Sequence, residues 1–80
     1  EAIEVTAHGD TYSSKVVGRR LAEIQLPEGV TIGAIVRGEE VLIAHSHVVV
    51  ETDDHVILFL VDRRKINAVE KLFAVGFGFF

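Results

Sequence analysis

Residues 26–44 read LPEGVTIGAIVRGEEVLIA, and this stretch decides the fold of the chain. Pro27 fixes φ at the second position of a tight turn, and Gly29 tolerates the positive φ that such a turn needs next. Two apolar segments follow with a short glycine-containing loop between them: 31–37, the loop 38–40, and 41–44. This arrangement predicts an antiparallel β-hairpin.

The alternation of side chains along a strand assigns the hairpin residues to two faces. Ile32, Ala34 and Val36 should share one face, and Gly33 and Ile35 the other. A face that contains glycine lets another backbone come near. We therefore expect the hairpin to build the core and a partner surface, with Ile35 at that surface, rather than the floor of a catalytic site.

The sequence before the hairpin predicts one strand and one short helix. Apolar and polar residues alternate over residues 2–8, which is the period of a half-buried strand. Ser13 and Ser14 then offer side-chain oxygens to open backbone amides, as helix-capping residues do. An apolar stripe follows at i, i+4 and i+7, formed by Val17, Leu21 and Ile24. A short amphipathic helix over about 15–25 fits this pattern.

The sequence after the hairpin predicts further strands and a second helix. Residues 48–50 fit a short strand or strand edge. Residues 56–61 form a continuous apolar run, as expected of a strand that is covered on both faces. Asp62 is suited to cap a helix. The apolar stripe of that helix consists of Ile66, Val69, Leu72 and Phe73.

Together these elements predict an α+β fold. A small, mainly antiparallel sheet of three to five strands should carry a short helix after strand 1 and a C-terminal helix that covers it. With 80 residues, the chain should form a single domain, 1–80. The sequence opens on Glu1 and contains no Met, so we expect it to be a fragment of a longer chain.

The composition excludes several classes of protein. No Cys is present, which excludes a disulfide framework and a thiolate zinc site. The longest apolar run is far shorter than the ~20 residues of a membrane-spanning helix, so no span is expected. The net charge is −4 without a basic stripe, which argues against nucleic acid as a partner. Hydrophobic residues make up 49%, more than so small an interior can enclose, which indicates a partner-facing surface.

The histidines are the first candidates for a chemical site. His45 and His47 would point to the same side of an extended segment, a spacing that some metal sites use, and Asp53, Asp54 and His55 lie close in sequence. No third ligand has a fixed local spacing, so no metal is assigned. A solvated loop and a proton-sensing cluster are the alternatives.

The serines before the first predicted helix are candidates for a nucleophile. Ser13 and Ser14 lie near His8 and Asp10 in the sequence. No strained nucleophile turn or oxyanion hole accompanies them, so we assign them to capping. No catalytic residue and no enzymatic activity are predicted for the chain.

Three arginines are candidates for contacts with an anionic ligand. Arg63 and Arg64, followed by Lys65, crowd the first turn of a predicted helix whose dipole is already positive there. Arg37 ends a strand that should be largely buried. The alternatives are exposed basic side chains, partly offset by Asp62, and a surface ion pair for Arg37.

The C-terminus is the strongest candidate for an interface. Phe77, Phe79 and Phe80 lie within the last four residues, separated from the second helix by glycine. A contiguous apolar patch of this kind usually marks a contact surface. Folding back onto the domain's own core and disorder are the alternatives.

The motifs along the chain resemble those of a known family. They are Ala7-His8-Gly9-Asp10, Ser14-Lys15-Val16-Val17-Gly18-Arg19, Leu26-Pro27 with Ile32 through Gly38, His55-Val56-Ile57, Phe59-Leu60, Val69-Glu70 and Leu72-Phe73. With the phenylalanine ending, they are similar to the RCK C-terminal (TrkA-C) domain of the Trk potassium uptake family. The most specific of these motifs is the Leu-Pro-x-Gly-x-x-Ile run before the hairpin.

The resemblance implies a regulatory role. Members are parts of cytoplasmic subunits that lie peripherally at the inner face of the membrane, assemble as oligomers and gate a potassium-translocating membrane subunit of the TrkH type. Nucleotide is expected on the RCK N-terminal domain, which is missing here, so no cofactor is expected in this chain. The C-terminal domain should regulate and dimerise. As an alternative, it senses a nucleotide, a cyclic dinucleotide or a cation.

Two positions depart from the pattern of the family. Relatives often carry Pro where His45 stands, and Gly-Asp where this chain has Asp53-Asp54. Both changes fall in predicted loops, so the fold should survive them. They weaken the transfer of any ligand pocket that uses those loops.

Overall fold

In a computed structural model, which describes residues 1–75, the chain forms a four-stranded antiparallel sheet with one α-helix. The elements in chain order are β1 (Ala2–Thr6), a 3-10 turn (Leu21–Glu23), β2 (Val30–Arg37), β3 (Glu40–Ile43), β4 (His55–Leu60), a second 3-10 turn (Arg63–Lys65) and α1 (Ile66–Phe73). The strand order is β1-β4-β2-β3. The predicted α+β class, with a small antiparallel sheet and a C-terminal helix, is confirmed.

The predicted hairpin is present as β2 and β3. Arg37 pairs with Glu40, so that only Gly38 and Glu39 connect the two strands. Gly38 has a φ of +61° and Gly29, before β2, has a φ of +80°, as the turn chemistry of both positions requires.

The core lies on one face of the sheet. Val56, Leu58 and Leu60 of β4 point into it and are at most 3% exposed. Val69 and Phe73 of α1 pack into this core. Both residues belong to the apolar stripe that was predicted for the second helix. Asp62 accepts a hydrogen bond from the backbone N–H of Arg64, so its predicted capping role is served at the 3-10 turn before α1.

A β-bulge at Gly33 changes the face assignment that was predicted for β2. Ile32 pairs with Leu58, and the register then shifts by one residue before Ala34. The extra residue moves Ile35 onto the same core-facing side as Ile32. The side chain of Ile35 is 0% exposed. The predicted alternation is therefore wrong, and so is the assignment of Ile35 to a partner surface, because this side chain belongs to the core.

The helix predicted over about 15–25 is also wrong. Gly18 has a φ of +84°, which an α-helix excludes. The backbone of residues 18–22 makes four hydrogen bonds across to residues 46–50, and only the 3-10 turn Leu21–Glu23 is helical. Val17, Leu21 and Ile24, which form the predicted stripe, still reach the core. Their helix-like spacing in the sequence therefore reflects burial in an irregular segment.

Two strand predictions need smaller corrections. The segment 48–50 contributes only an isolated bridge, between Arg20 and Val49. β4 is not covered on both faces, since Phe59 is 51% exposed although its neighbours Leu58 and Leu60 are buried. Within residues 1–75, no helix is long and apolar enough to cross a membrane.

Candidate functional site

Arg37 lies at the end of β2 and binds a buried carboxylate. Its Nε and Nη2 donate to Oδ1 and Oδ2 of Asp54 at 2.9 and 2.8 Å, and Nη2 also donates to the carbonyl of Val49 at 2.8 Å. Nη1 lies 3.0 Å from Oε2 of Glu51. Because these donors all point at the protein itself, the geometry favours a structural clamp over the predicted ligand contact.

Asp54 is the buried partner of this clamp. It is 1% exposed, and its Oδ2 also accepts from the backbone N–H of Glu51 at 2.8 Å. Burial alone would raise the pKa of the Asp54 carboxyl, but the hydrogen bonds from Arg37 and Glu51 outweigh burial and lower this pKa below its ordinary value. The pKa of Arg37 is raised, chiefly by its hydrogen bonds to Asp54. The pair is therefore ionised at neutral pH.

Arg63 and Arg64 lie at the other end of β4 from this clamp. Arg64 contacts the carboxylate of Asp62 at 2.8 Å and Arg63 lies 3.6 Å from that of Glu1, both as exposed ion pairs. Asp62 thus offsets much of the local charge. The structure does not bring the three predicted ligand arginines into one site.

The histidines are divided between two places. His45 and His47 lie in one loop with ring centroids 6.3 Å apart, whereas His55 lies on the sheet with its Nδ1 2.7 Å from Oε2 of Glu4. Among the residues with described positions, no group of three His, Cys, Asp or Glu side chains is arranged to hold a metal ion.

The serines serve turns rather than chemistry. The Oγ of buried Ser14 accepts from the backbone N–H groups of Val16 and Val17 at 3.1 and 3.0 Å. Ser13 donates to Asp10, whose Oδ1 also accepts from the N–H of Ser13. The predicted capping chemistry is present at Ser14, although the capped structure is a turn and not a helix, and it is absent at Ser13, whose hydroxyl bonds back to Asp10.

A shallow groove opens beside the first 3-10 turn, with a volume of about 200 Å³. It is lined by Leu21, Ala22, Leu26, Ile32, Ala44, His45 and Ser46. Sequence reasoning missed this groove because it joins the turn to the end of β3, two segments that a helix over 15–25 would have kept apart. The two segments carry no local sequence signal that they meet.

The second feature that sequence reasoning missed is the outer face of the sheet. Its apolar residues, which we call the open face, are Ala34, Val36, Val41, Ile43, Ile57 and Phe59. Val41 and Ile43 are 61% and 74% exposed, and Phe59 is 51% exposed. The ring of Phe59 lies over Gly33, where a Cβ would collide with it. The predicted interface residues Phe77, Phe79 and Phe80 lie outside the described residues, so their role stays a prediction.

Comparison with known proteins agrees with this fold and with the sequence motifs. The chain is 68% identical to the Trk system potassium uptake protein TrkA of Halomonas elongata over all its 80 residues, and these make up 18% of that protein. It is 63% identical over 73 residues to the protein of the same name from Vibrio alginolyticus, covering 91% of this chain and 16% of that protein. The chain therefore spans less than a fifth of the length of these curated relatives.

Two solved structures have the same fold. An RCK domain with cda superposes with a TM-score of 0.74 at 12% identity, covering 91% of this chain and 97% of the other. The RCK_C domain dimer of S. agalactiae BusR in complex with c-di-AMP superposes with a TM-score of 0.73 at 21% identity, covering 90% and 93%. The model of the TrkA-C domain matches residues 10–74, and this chain therefore belongs to the TrkA-C domain family.

Proposed function

We propose that this chain is the regulatory and oligomerising domain of a peripheral subunit that controls a potassium uptake system. The observation that carries the proposal is the 68% identity to a Trk system potassium uptake protein over the whole chain. The site geometry supports it, because Arg37, Asp54 and Ser14 serve structural roles while a broad apolar surface is left for contacts. We propose no enzymatic activity for the chain.

The partners follow from the same proposal. The membrane partner is a potassium-translocating subunit of the TrkH type, and the chain acts on the cytoplasmic side as part of a peripheral, homo-oligomeric subunit. Nucleotide binds to an RCK N-terminal domain outside this chain, so the chain itself needs no cofactor. Phe77, Phe79 and Phe80 take part in the contact between copies.

A chimera tests the regulatory role. The matching segment of the Halomonas elongata relative is replaced by this chain, and potassium uptake is measured in cells that lack their own copy of that protein. We expect uptake at low external potassium to be restored. A chimera carrying Asp54→Ala, which breaks the buried clamp, serves as the control and should fail. Loss of uptake in the unmodified chimera, with the protein folded and present, would contradict the proposal.

Sedimentation of the 80-residue chain tests the oligomerising role. We expect a concentration-dependent dimer or larger oligomer that weakens when Phe77, Phe79 and Phe80 are replaced by Ser. A chain that stays monomeric at high concentration, with or without these phenylalanines, would remove the support for this part of the proposal.

The second candidate function is a small-ligand sensor. The groove beside the first 3-10 turn favours it, since the groove is mostly apolar but carries the polar side chains of His45 and Ser46. Two proteins of the same fold are described with cda or c-di-AMP. Calorimetric titration with c-di-AMP, ATP and divalent cations tests it. Binding should be lost in Ala22→Phe, which fills the groove, and kept in Tyr12→Ser, which lies outside it.

A further inference from the structure

The open face is continuous across three strands. The pairing places Ile57 beside Ala34 and Ala34 beside Ile43 in one row. Val36 and Val41 are neighbours in the next row toward the hairpin loop, and Phe59 ends the face on the other side. The only ionisable side chains on this side of the sheet at β1 and β4 are Glu4 and His55, which contact each other at the edge.

No element among residues 1–75 covers this face. The core-facing side of the sheet receives α1 and the first 3-10 turn, whereas Val41, Ile43 and Phe59 stay more than half exposed. Exposed apolar residues that are contiguous, and not scattered singly, mark a contact surface on a small protein. We therefore expect another segment or molecule to bind the open face.

The chain supplies a candidate occupant in residues 76–80, whose sequence is GFGFF. The segment carries no charged side chain and three phenylalanines, and each such ring buries about 150–250 Å² on docking. In an extended segment, Phe77 and Phe79 point to the same side about 6.6 Å apart. That spacing equals the distance between alternate residues of a strand, which is the spacing of the rows on the open face.

The place where the described chain ends shows which copy receives the segment. Val75 packs against Gly9, just beyond the end of β1 and on the side of α1. Five extended residues reach about 17 Å, and part of that length is spent in passing round β1. β3 lies three strand spacings from β1, about 14 Å away across the sheet. Once the passage round β1 is subtracted, the segment falls short of β3 in its own chain, so it cannot cover the whole open face there.

We propose that the open face is the docking site for residues 76–80 of a second copy of this chain. The proposal rests on the oligomerising role proposed above and names the surface that receives the phenylalanines. Exchange of the two segments between two copies makes the contact self-complementary, as a two-fold dimer requires.

Variants of the open face test the proposal through the strength of association. Ile43→Ser and Phe59→Ser should each raise the dissociation constant by about tenfold or more, comparable to removal of the phenylalanines. Tyr12→Ser is the matched control, since Tyr12 is an aromatic residue that is 96% exposed outside the open face, and it should leave the constant unchanged. Ile43 lies at the sheet edge, so its variant keeps the fold even if Phe59→Ser does not.

Photo-crosslinking locates the segment directly. The chain with p-benzoylphenylalanine at position 79 is mixed with ¹⁵N-labelled chain that has the natural sequence, and the crosslinked peptides are identified by mass spectrometry. We expect the unlabelled position 79 to crosslink to labelled peptides that contain residues 34–43 or 55–59. Crosslinks within one chain, or to other peptides of the second copy, would overturn the proposal.

The outcomes separate this inference from the proposed function. If removal of the phenylalanines weakens association but Ile43→Ser and Phe59→Ser do not, the segment docks elsewhere and only the inference fails. If the natural chain does not associate at all, the oligomerising role fails as well.

Discussion

At the scale of single residues, the clamp between Arg37 and Asp54 joins the end of β2 to the residue before β4. Asp54 is 1% exposed, and three donors converge on its carboxylate. Removing one partner of a buried ion pair leaves the other without compensation. We therefore expect Asp54→Ala to lower the free energy of unfolding by about 3 kcal/mol, measured by urea denaturation. Glu51→Ala, which removes only the exposed member of the cluster, should cost less than about 1 kcal/mol.

The same clamp makes stability depend on pH. The pKa of Asp54 is lower in the folded chain than its ordinary value of about 3.9, so the folded state binds the proton less readily than the unfolded state. The stabilisation is complete above about pH 4 and is lost as the pH falls through the lowered pKa. Urea midpoints measured down to pH 2 should fall more steeply for the natural chain than for Asp54→Asn. Equal slopes would show that Asp54 does not contribute.

Asp53, next to the clamp, adopts a strained backbone conformation. Its φ is +69°, which disfavours residues with a Cβ, although its N–H donates to the carbonyl of Ala7 at 2.7 Å. The family resemblance implies Gly at this position, and Gly adopts a positive φ without this steric cost. Asp53→Gly should raise the unfolding free energy by about 0.5 kcal/mol, as thermal denaturation would show. Thr52→Gly, at a position without positive φ, should lower it.

At the scale of elements, local signals predicted the hairpin and α1 but not the segment between β1 and β2. The turn residues Gly29 and Gly38 act within a few positions of themselves, so the sequence is enough to place β2 and β3. Residues 18–22 instead bond to residues 46–50, a long-range pairing that leaves no local signature. The bulge at Gly33 had a local signal, because a glycine inside a strand often marks a bulge, but the sequence alone did not show the shift in pairing that turns Ile35 toward the core.

Gly18 distinguishes the observed segment from the predicted helix. In a helix, Gly18→Ala would stabilise the chain by about 1 kcal/mol. In the structure, φ is +84° and a Cβ would collide with Cγ2 of Thr11, so we expect a loss of about 2 kcal/mol or more. Gly38→Ala is the control, since its φ is also positive but the space around it is open, and it should cost only about 1 kcal/mol. Urea denaturation of the two variants makes the comparison.

At the scale of the whole molecule, composition predicted that apolar surface would remain outside the core, but not where. The continuous run in β4 suggested a strand covered on both sides, and Ile35 was placed at a surface that the bulge turns inward. The open face became visible only when β2, β3 and β4 were paired, because its members come from strands that are distant in sequence. Four of its six residues come from β2 and β4, strands whose alternate members fill the core, so the two faces could not be separated by hydrophobicity.

The charge of the whole chain gives a test of how copies associate. The net charge is −4, and the open face and residues 76–80 carry no charged side chain. Association through them should change little between low and high NaCl, and any change should be a slight strengthening as repulsion between the copies is screened. A strong weakening with salt, measured by sedimentation, would instead implicate Arg63 and Arg64 in the contact.

The seating of the Phe59 ring over Gly33 has a consequence for how this sequence can diverge. A methyl group at position 33 and the ring of Phe59 occupy the same space, so a side chain cannot be gained at 33 while the ring keeps this place. A descendant that gains a side chain at 33 must first acquire a smaller residue at 59. That change removes the ring of Phe59 from the outer surface of the sheet. Mutational history at these two sites is thus constrained to a fixed order of steps.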